Sequence, residues 1–121
     1  MGPTILSIED SIFERKAIIK LLKDEGYDDI IETGEGEEGI EKYDEEEPDL
    51  VLLDLRLPDM DGIEVLKELE ERDADVIVVS IVREQDTIDE TKEIGAKGYV
   101  QKPITKEKLI PKIEEILGEE E

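Results

Sequence analysis

The sequence predicts an α/β domain, a doubly wound parallel sheet of five strands with helices on both faces. Three observations predict it. Short runs rich in β-branched residues alternate with stretches of helical periodicity along the 121 residues. Two of these runs, Leu50-Val51-Leu52-Leu53 and Val76-Ile77-Val78-Val79, are unbroken apolar segments, as expected of strands buried on both faces. The length suits one domain, which buries about two-thirds of the surface its unfolded chain exposes. Strands and helices alternating within one domain pair in parallel through right-handed crossovers.

The first strand covers Thr4 to Ile8. Phe13, Ala17 and Leu21, with Ile18 and Leu22 beside them, recur at helical spacing up to Gly26 and predict the apolar stripe of a first helix. Ile30-Ile31 is a weak second strand. Gly36 to Tyr43 reads as a short helix, ended before Pro48. Asp49 to Asp54 is the third strand, and Ile63, Leu66 and Leu69 stripe the helix after it. Val76 to Ser80 is the fourth strand. A polar helix from Gln85 to Ile94 stops at Gly95, and Gly98 to Val100 is a short fifth strand. Leu109, Ile113, Ile116 and Leu117 stripe a last helix that opens after Thr105, whose hydroxyl suits an N-cap. The Glu119-Glu120-Glu121 tail is expected to fray.

Charged residues make up 43% of the chain and apolar residues 37%, a balance that raises disorder as an alternative. The clustering of the apolar residues argues against it, because disordered chains dilute them. With 37 acidic against 15 basic residues, the formal net charge is −22. Such a surface repels phosphate backbones and anionic lipid, so direct nucleic-acid binding and membrane association are both disfavoured. Cations and basic protein patches are the favoured partners. Much of the excess is expected from solubility or adaptation to heat or salt. Cysteine and histidine are absent. Their absence excludes disulfides, a thiolate nucleophile, the Ser-His-Asp triad, the usual zinc sites and a phosphohistidine within this chain. No apolar stretch approaches the roughly 18 residues of a membrane span. The first residues lack the basic region and cleavage site of a signal peptide. Leu6 stands where a myristoylation signal wants Ser or Thr. A soluble, cytoplasmic protein is expected.

Ligands of an open parallel sheet bind at the carboxyl ends of its strands. Strand one ends in Glu9-Asp10, strand three in Asp54 and strand four in Ser80, while Lys102-Pro103 follows strand five. Three carboxylates, a hydroxyl and an ammonium therefore converge on one edge. Crowded carboxylates need a cation, and an all-oxygen donor set suits Mg²⁺ rather than Zn²⁺. A hard cation beside a carboxylate, a lysine and a hydroxyl is a constellation for phosphoryl transfer. Asp54 directly after four apolar residues resists a structural explanation, because ending a buried strand in a bare charge is costly.

The carriers of a family resemblance are Glu9-Asp10, the stretch from Val51-Leu52-Leu53-Asp54-Leu55-Arg56 through Leu57-Pro58-Asp59-Met60-Asp61-Gly62, then Ser80, then Gly95-Ala96-Lys97-Gly98-Tyr99-Val100-Gln101-Lys102-Pro103. In this order on five βα units the chain resembles the receiver domain of two-component response regulators, of the single-domain, chemotaxis-regulator type. The resemblance covers nearly the whole chain, as one domain over 1–121, and implies a flavodoxin-like sheet in the order 2-1-3-4-5. It implies that Asp54 takes a phosphoryl group from the phosphohistidine of a histidine kinase or phosphotransfer protein. It implies Mg²⁺ held by Glu9, Asp10, Asp54 and the backbone carbonyl of Arg56. Lys102 would neutralise one phosphoryl oxygen and Ser80 would donate a hydrogen bond to another. Tyr99 would turn inward as Ser80 is drawn to the phosphate, changing the surface seen by a downstream protein target. Such a protein is a signalling phospho-acceptor rather than an enzyme, apart from possible autodephosphorylation. It is a monomer or a phosphorylation-dependent dimer.

Some positions depart from the family pattern. Glu9 replaces the more usual aspartate and would still bind Mg²⁺, through a longer arm. Ile81, after the switch hydroxyl, is bulky and stiff at χ1 where a small residue is usual, and predicts a partly shielded pocket. The fourth helix has a thin stripe of Ile88, Ile94 and the Thr91 methyl, which predicts weak docking. Pro111 in the last helix predicts a kink or a delayed start. Both oddities fall on the family's usual output face. Asp59-x-Asp61-Gly62 with Glu68 imitates a calcium loop but lacks its leading ligand at Leu57. No Walker A stretch is present, and Arg56 stands where a haloacid-dehalogenase-type phosphatase needs its second aspartate. The alternatives are a pseudo-receiver that binds proteins without cycling phosphate, a receiver fragment of a longer regulator, and a metal-dependent phosphohydrolase on the same fold.

Overall fold

The strands are β1 (Thr4–Ile8), β2 (Asp29–Thr33), β3 (Leu50–Leu53), β4 (Val76–Ser80) and β5 (Gly98–Gln101). The helices are α1 (Ile12–Asp24), α2 (Gly36–Glu46), α3 (Gly62–Glu71), α4 (Gln85–Ile94) and α5 (Lys106–Leu117). The structure is a computed structural model that describes residues 2–118. The expected fraying of Glu119-Glu120-Glu121 lies outside the described residues. Every strand pairing is parallel and the sheet order is β2-β1-β3-β4-β5. This is the flavodoxin-like order that the resemblance implied. Among the described residues no helix is long and apolar enough to cross a membrane.

Every residue of β3 and β4 is buried, which explains their unbroken apolar sequences. Edge strand β2 is half exposed, which explains its weak signal. Side chains alternate between two cores. Ile5, Leu50, Leu52, Ile77 and Val79 face Ile18 and Leu22 of α1 and Leu109, Ile113 and Leu117 of α5. Leu6, Ile8, Val51, Leu53 and Val78 face Val65, Leu66 and Leu69 of α3. Ile40 and Tyr43 of α2 and Ile94 of α4 pack at the margin of this second core.

Three elements differ from their sequence reading. Phe13 does not join the apolar stripe of α1 and is 82% exposed. The buried face runs through Ile18 and Leu22, and a residue five positions before Ile18 lies about 140° around the helix from it. The N-cap of α1 is Ser11: its Oγ accepts the Glu14 N–H at 3.3 Å. The start of α5 is not delayed by Pro111. Thr105 Oγ1 accepts the Lys108 N–H at 3.2 Å and sets the start at Lys106. Pro111 leaves the Glu107 carbonyl without its helical partner, and both residues are exposed, so water can satisfy it. In α4, Thr91 is the residue that is fully buried, with its hydroxyl bonded to the Ile88 carbonyl at 2.7 Å.

Candidate functional site

Parallel pairing sends every strand's carboxyl end to the same edge. Ile8 is in register with Leu53, so Glu9 and Asp54 leave neighbouring strands side by side. The Asp54 N–H donates to the Ile8 carbonyl at 3.0 Å and fixes this exit. Ser80 ends β4 in register with Gln101, and the Lys102 N–H donates to the Ser80 carbonyl at 2.9 Å. Lys102 therefore starts one strand beyond Ser80 and reaches back across β4 with its long side chain. The Lys102-Pro103 peptide is cis.

The Lys102 ammonium is the hub of the site. It donates to Asp54 Oδ2 at 3.0 Å, lies 3.0 Å from Glu9 Oε1, and lies 2.5 Å from Glu14 Oε1. The Lys102 side chain is only 11% exposed. Asp54 is buried, and its Oδ1 accepts the Arg56 N–H at 3.1 Å. Its two oxygens thus have separate partners, which offsets the cost of a charge at a buried strand end. Glu9 is also buried, and its Oε2 accepts the Ser11 N–H at 3.2 Å. Glu9 Oε1 has the lysine close by but makes no hydrogen bond of good angle.

Burial raises Glu9 to about 7, against the opposing effect of the Lys102 ammonium, and the nearby Asp54 charge adds to the rise. Burial acts to lower Lys102, but the carboxylates of Glu14, Glu9 and Asp54 around it together outweigh it and hold the ammonium above the ordinary lysine range. One cation thus serves three carboxylates, and the cluster remains net negative.

The donor set fits a hard cation. It consists of carboxylate and carbonyl oxygens, and Glu9 Oε1 is a buried oxygen without a hydrogen bond. Glu9 and Asp54 are brought together, whereas Asp10 is exposed at the rim. Among the described residues no three acidic side chains are gathered closely enough to hold a metal ion as they stand. Lys102 occupies the electrostatic role between Glu9 and Asp54 that a cation would share.

The second half of the site is a short relay. Ser80 is buried and its Oγ accepts the Val82 N–H at 3.1 Å. The Tyr99 hydroxyl donates to the Val82 carbonyl at 2.7 Å. Burial raises the Tyr99 phenol, with a hydrogen bond to Ser80 acting the other way. Ser80 and Tyr99 are therefore tied to the same peptide segment. Ile81 lies between them in sequence and is 53% exposed.

Two participants escaped the sequence reading. Glu14 sits in the first turn of α1, and the start of that helix faces the same edge because it follows β1 directly. Its place five residues after Glu9 was the available signal. Val82 contributes through its backbone, which leaves no side-chain signature. The calcium-loop imitation resolves into helix capping. Asp59 accepts the N–H groups of Gly36 at 2.8 Å and Glu37 at 3.0 Å at the start of α2, and Asp61 accepts that of Ile63 at 3.0 Å at the start of α3. Gly62 is required there, because a Cβ would lie 2.3 Å from the Leu55 backbone.

Residues 5–114 match the model of the response regulator receiver domain. The chain belongs to this family. It is 34% identical over 120 residues to the chemotaxis protein CheY of Bacillus subtilis, covering 98% of this chain and all of that one. It is 33% identical over 111 residues to the transcriptional regulatory protein PdtaR of Mycobacterium tuberculosis, covering 91% of this chain and 54% of that one. Among solved receivers, the signal receiver domain of a LuxO-type repressor from Vibrio parahaemolyticus superimposes with a TM-score of 0.91 at 30% identity, over 98% of this chain and 92% of that chain. The CheY of Borrelia burgdorferi, solved in complex with CheX, BeF3 and Mg²⁺, superimposes with a TM-score of 0.89 at 29% identity, over 93% of this chain and 87% of that chain. Receiver domains are signalling modules of two-component systems, and the chain is CheY-like in fold and sequence.

Proposed function

We propose that the chain is a phospho-accepting receiver acting in the cytoplasm as a single domain over 1–121. Asp54 would accept a phosphoryl group from the phosphohistidine of a histidine kinase or phosphotransfer protein. The observation that carries this reading is the Lys102 ammonium, drawn to Asp54 Oδ2 at 3.0 Å inside a buried acidic cluster. An Asp54 carboxylate oxygen forms the new bond to phosphorus as the phosphorus–nitrogen bond breaks, and the electron pair returns to the donor imidazole. Mg²⁺, held by Glu9, Asp10, Asp54 and the Arg56 carbonyl, would neutralise phosphoryl charge.

Lys102 keeps its proton throughout and moves from Asp54 Oδ2 toward a phosphoryl oxygen. The Arg56 N–H, at 3.1 Å from Oδ1, orients the Asp54 carboxylate. Ser80 would leave the Val82 N–H to donate to the phosphoryl group. That frees the segment to which Tyr99 is bonded and alters the α4–β5–α5 surface met by a downstream protein. The chain turns over no external substrate, and any hydrolysis is of its own acyl phosphate.

Intact mass after incubation with Mg²⁺ and acetyl phosphate tests the proposal. One added phosphoryl group is expected, absent in Asp54→Asn and in chelator. A second reading, a pseudo-receiver that binds proteins without cycling phosphate, is favoured by the exposed Asp10 and by bulky Ile81. It predicts no adduct and no binding of beryllofluoride with Mg²⁺.

A further inference from the structure

The Lys102 ammonium has three carboxylates around it, and one of them has no place in the phosphoryl-transfer machinery. Glu14 belongs to α1, is 39% exposed, and makes the shortest of the three contacts, 2.5 Å against 3.0 Å for Glu9 and Asp54. Its backbone is fixed by the cap, because the Glu14 N–H donates to Ser11 Oγ. Its carboxylate is thereby presented to Lys102 from the rim while Glu9 and Asp54 hold the lysine from within. An ammonium has three donor hydrogens, and these three carboxylates already surround it.

An incoming phosphoryl group must take one of those positions. A contact that Lys102 makes before but not after phosphoryl binding lowers the affinity for the phosphoryl group by the strength of that contact.

We propose that Glu14 is a positioning residue that competes with the phosphoryl group for Lys102 and so acts as a built-in brake on phosphoryl acceptance at Asp54. This rests on the phospho-acceptor reading above. The brake is modest because Glu14 is partly solvated. It depends on contact rather than on net charge.

Calorimetric titration of beryllofluoride in the presence of Mg²⁺ tests it, since the chain has no tryptophan to report binding. Glu14→Gln is expected to bind about threefold or more tightly than the wild type. Glu115→Gln, which removes the same charge from the far end of α5, is expected to bind as the wild type does. In a Lys102→Ala background, Glu14→Gln is expected to have no further effect. Equal affinities for Glu14→Gln and the wild type would overturn the inference. So would a gain that persists without Lys102, or one matched by Glu115→Gln. A wild type that binds no beryllofluoride would overturn the phospho-acceptor reading itself, and the inference with it.

Discussion

Asp54 directly follows a strand in which every residue is apolar and buried, and its charge is tolerated because each oxygen has a donor, the Arg56 N–H and the Lys102 ammonium. Ile81 is a bulky, β-branched side chain beside the site. It is attached to Ser80, which is fully buried, yet is itself half exposed, as a residue on the rim of the site would be. A β-branched side chain has few rotamers by which to withdraw from the path of a donor. Ile81→Ala is therefore expected to be phosphorylated faster by acetyl phosphate than the wild type, as followed by intact mass over time. Equal rates would remove Ile81 as a gate.

At the scale of elements, α2 owes its start to another segment. Its N-cap residue, Glu35, makes no side-chain capping bond, and Asp59, from the β3–α3 connection, takes two of the free N–H groups instead. Asp59→Ala is expected to cost about 1 kcal/mol, measured as a lower urea midpoint at neutral pH. Hydrogen bonds from the Glu37 and Gly36 N–H groups, against a smaller effect of burial, hold the Asp59 carboxyl below its ordinary value. The stabilisation is thus complete above the ordinary aspartate value and is lost as pH falls through the lowered one. The gap between variant and wild type should shrink as pH falls below the ordinary aspartate value, and a gap that stays constant would argue against an ionised cap. Helix α4 buries a single residue completely, Thr91, whereas α3 buries four. Little buried area means a low cost of local opening. Amide hydrogens of α4 are expected to exchange faster than those of α3 and of β3 and β4, and equal protection would refute this.

For the whole molecule, a net charge of −22 opposes compaction through self-repulsion. Added salt shortens the range of that repulsion from about 30 Å at 0.01 M to about 10 Å at 0.1 M. The urea midpoint is expected to rise over this interval, and a flat or falling midpoint would show that ion pairs such as Arg72 with Asp44 outweigh the repulsion. The charge is not uniform. Lys92, Lys97, Lys108 and Lys112 line a groove between α4 and α5 beside the edge strand β5. The sequence-level expectation of basic partner surfaces therefore does not extend to this groove.

Unbroken apolar runs, helical stripes and capping residues are local properties, so the sequence alone determined the five βα units to within a few residues. The parallel sheet follows from their alternation. The residues at strand ends were legible for the same reason, because each is the first polar group after an apolar run. Phe13 was misplaced because helical spacing fixes which residues share a face but not which face the sheet covers. Glu14 was missed because its partner lies 88 positions away, on the far side of a crossover. Whether Asp59 binds a cation or caps a helix was settled by the fold-back of the β3–α3 connection onto α2, and whether Lys102 meets two carboxylates or three by the approach of α1 to β5. Only the tertiary structure decides such pairings, since they depend on distances between elements that no local sequence pattern encodes.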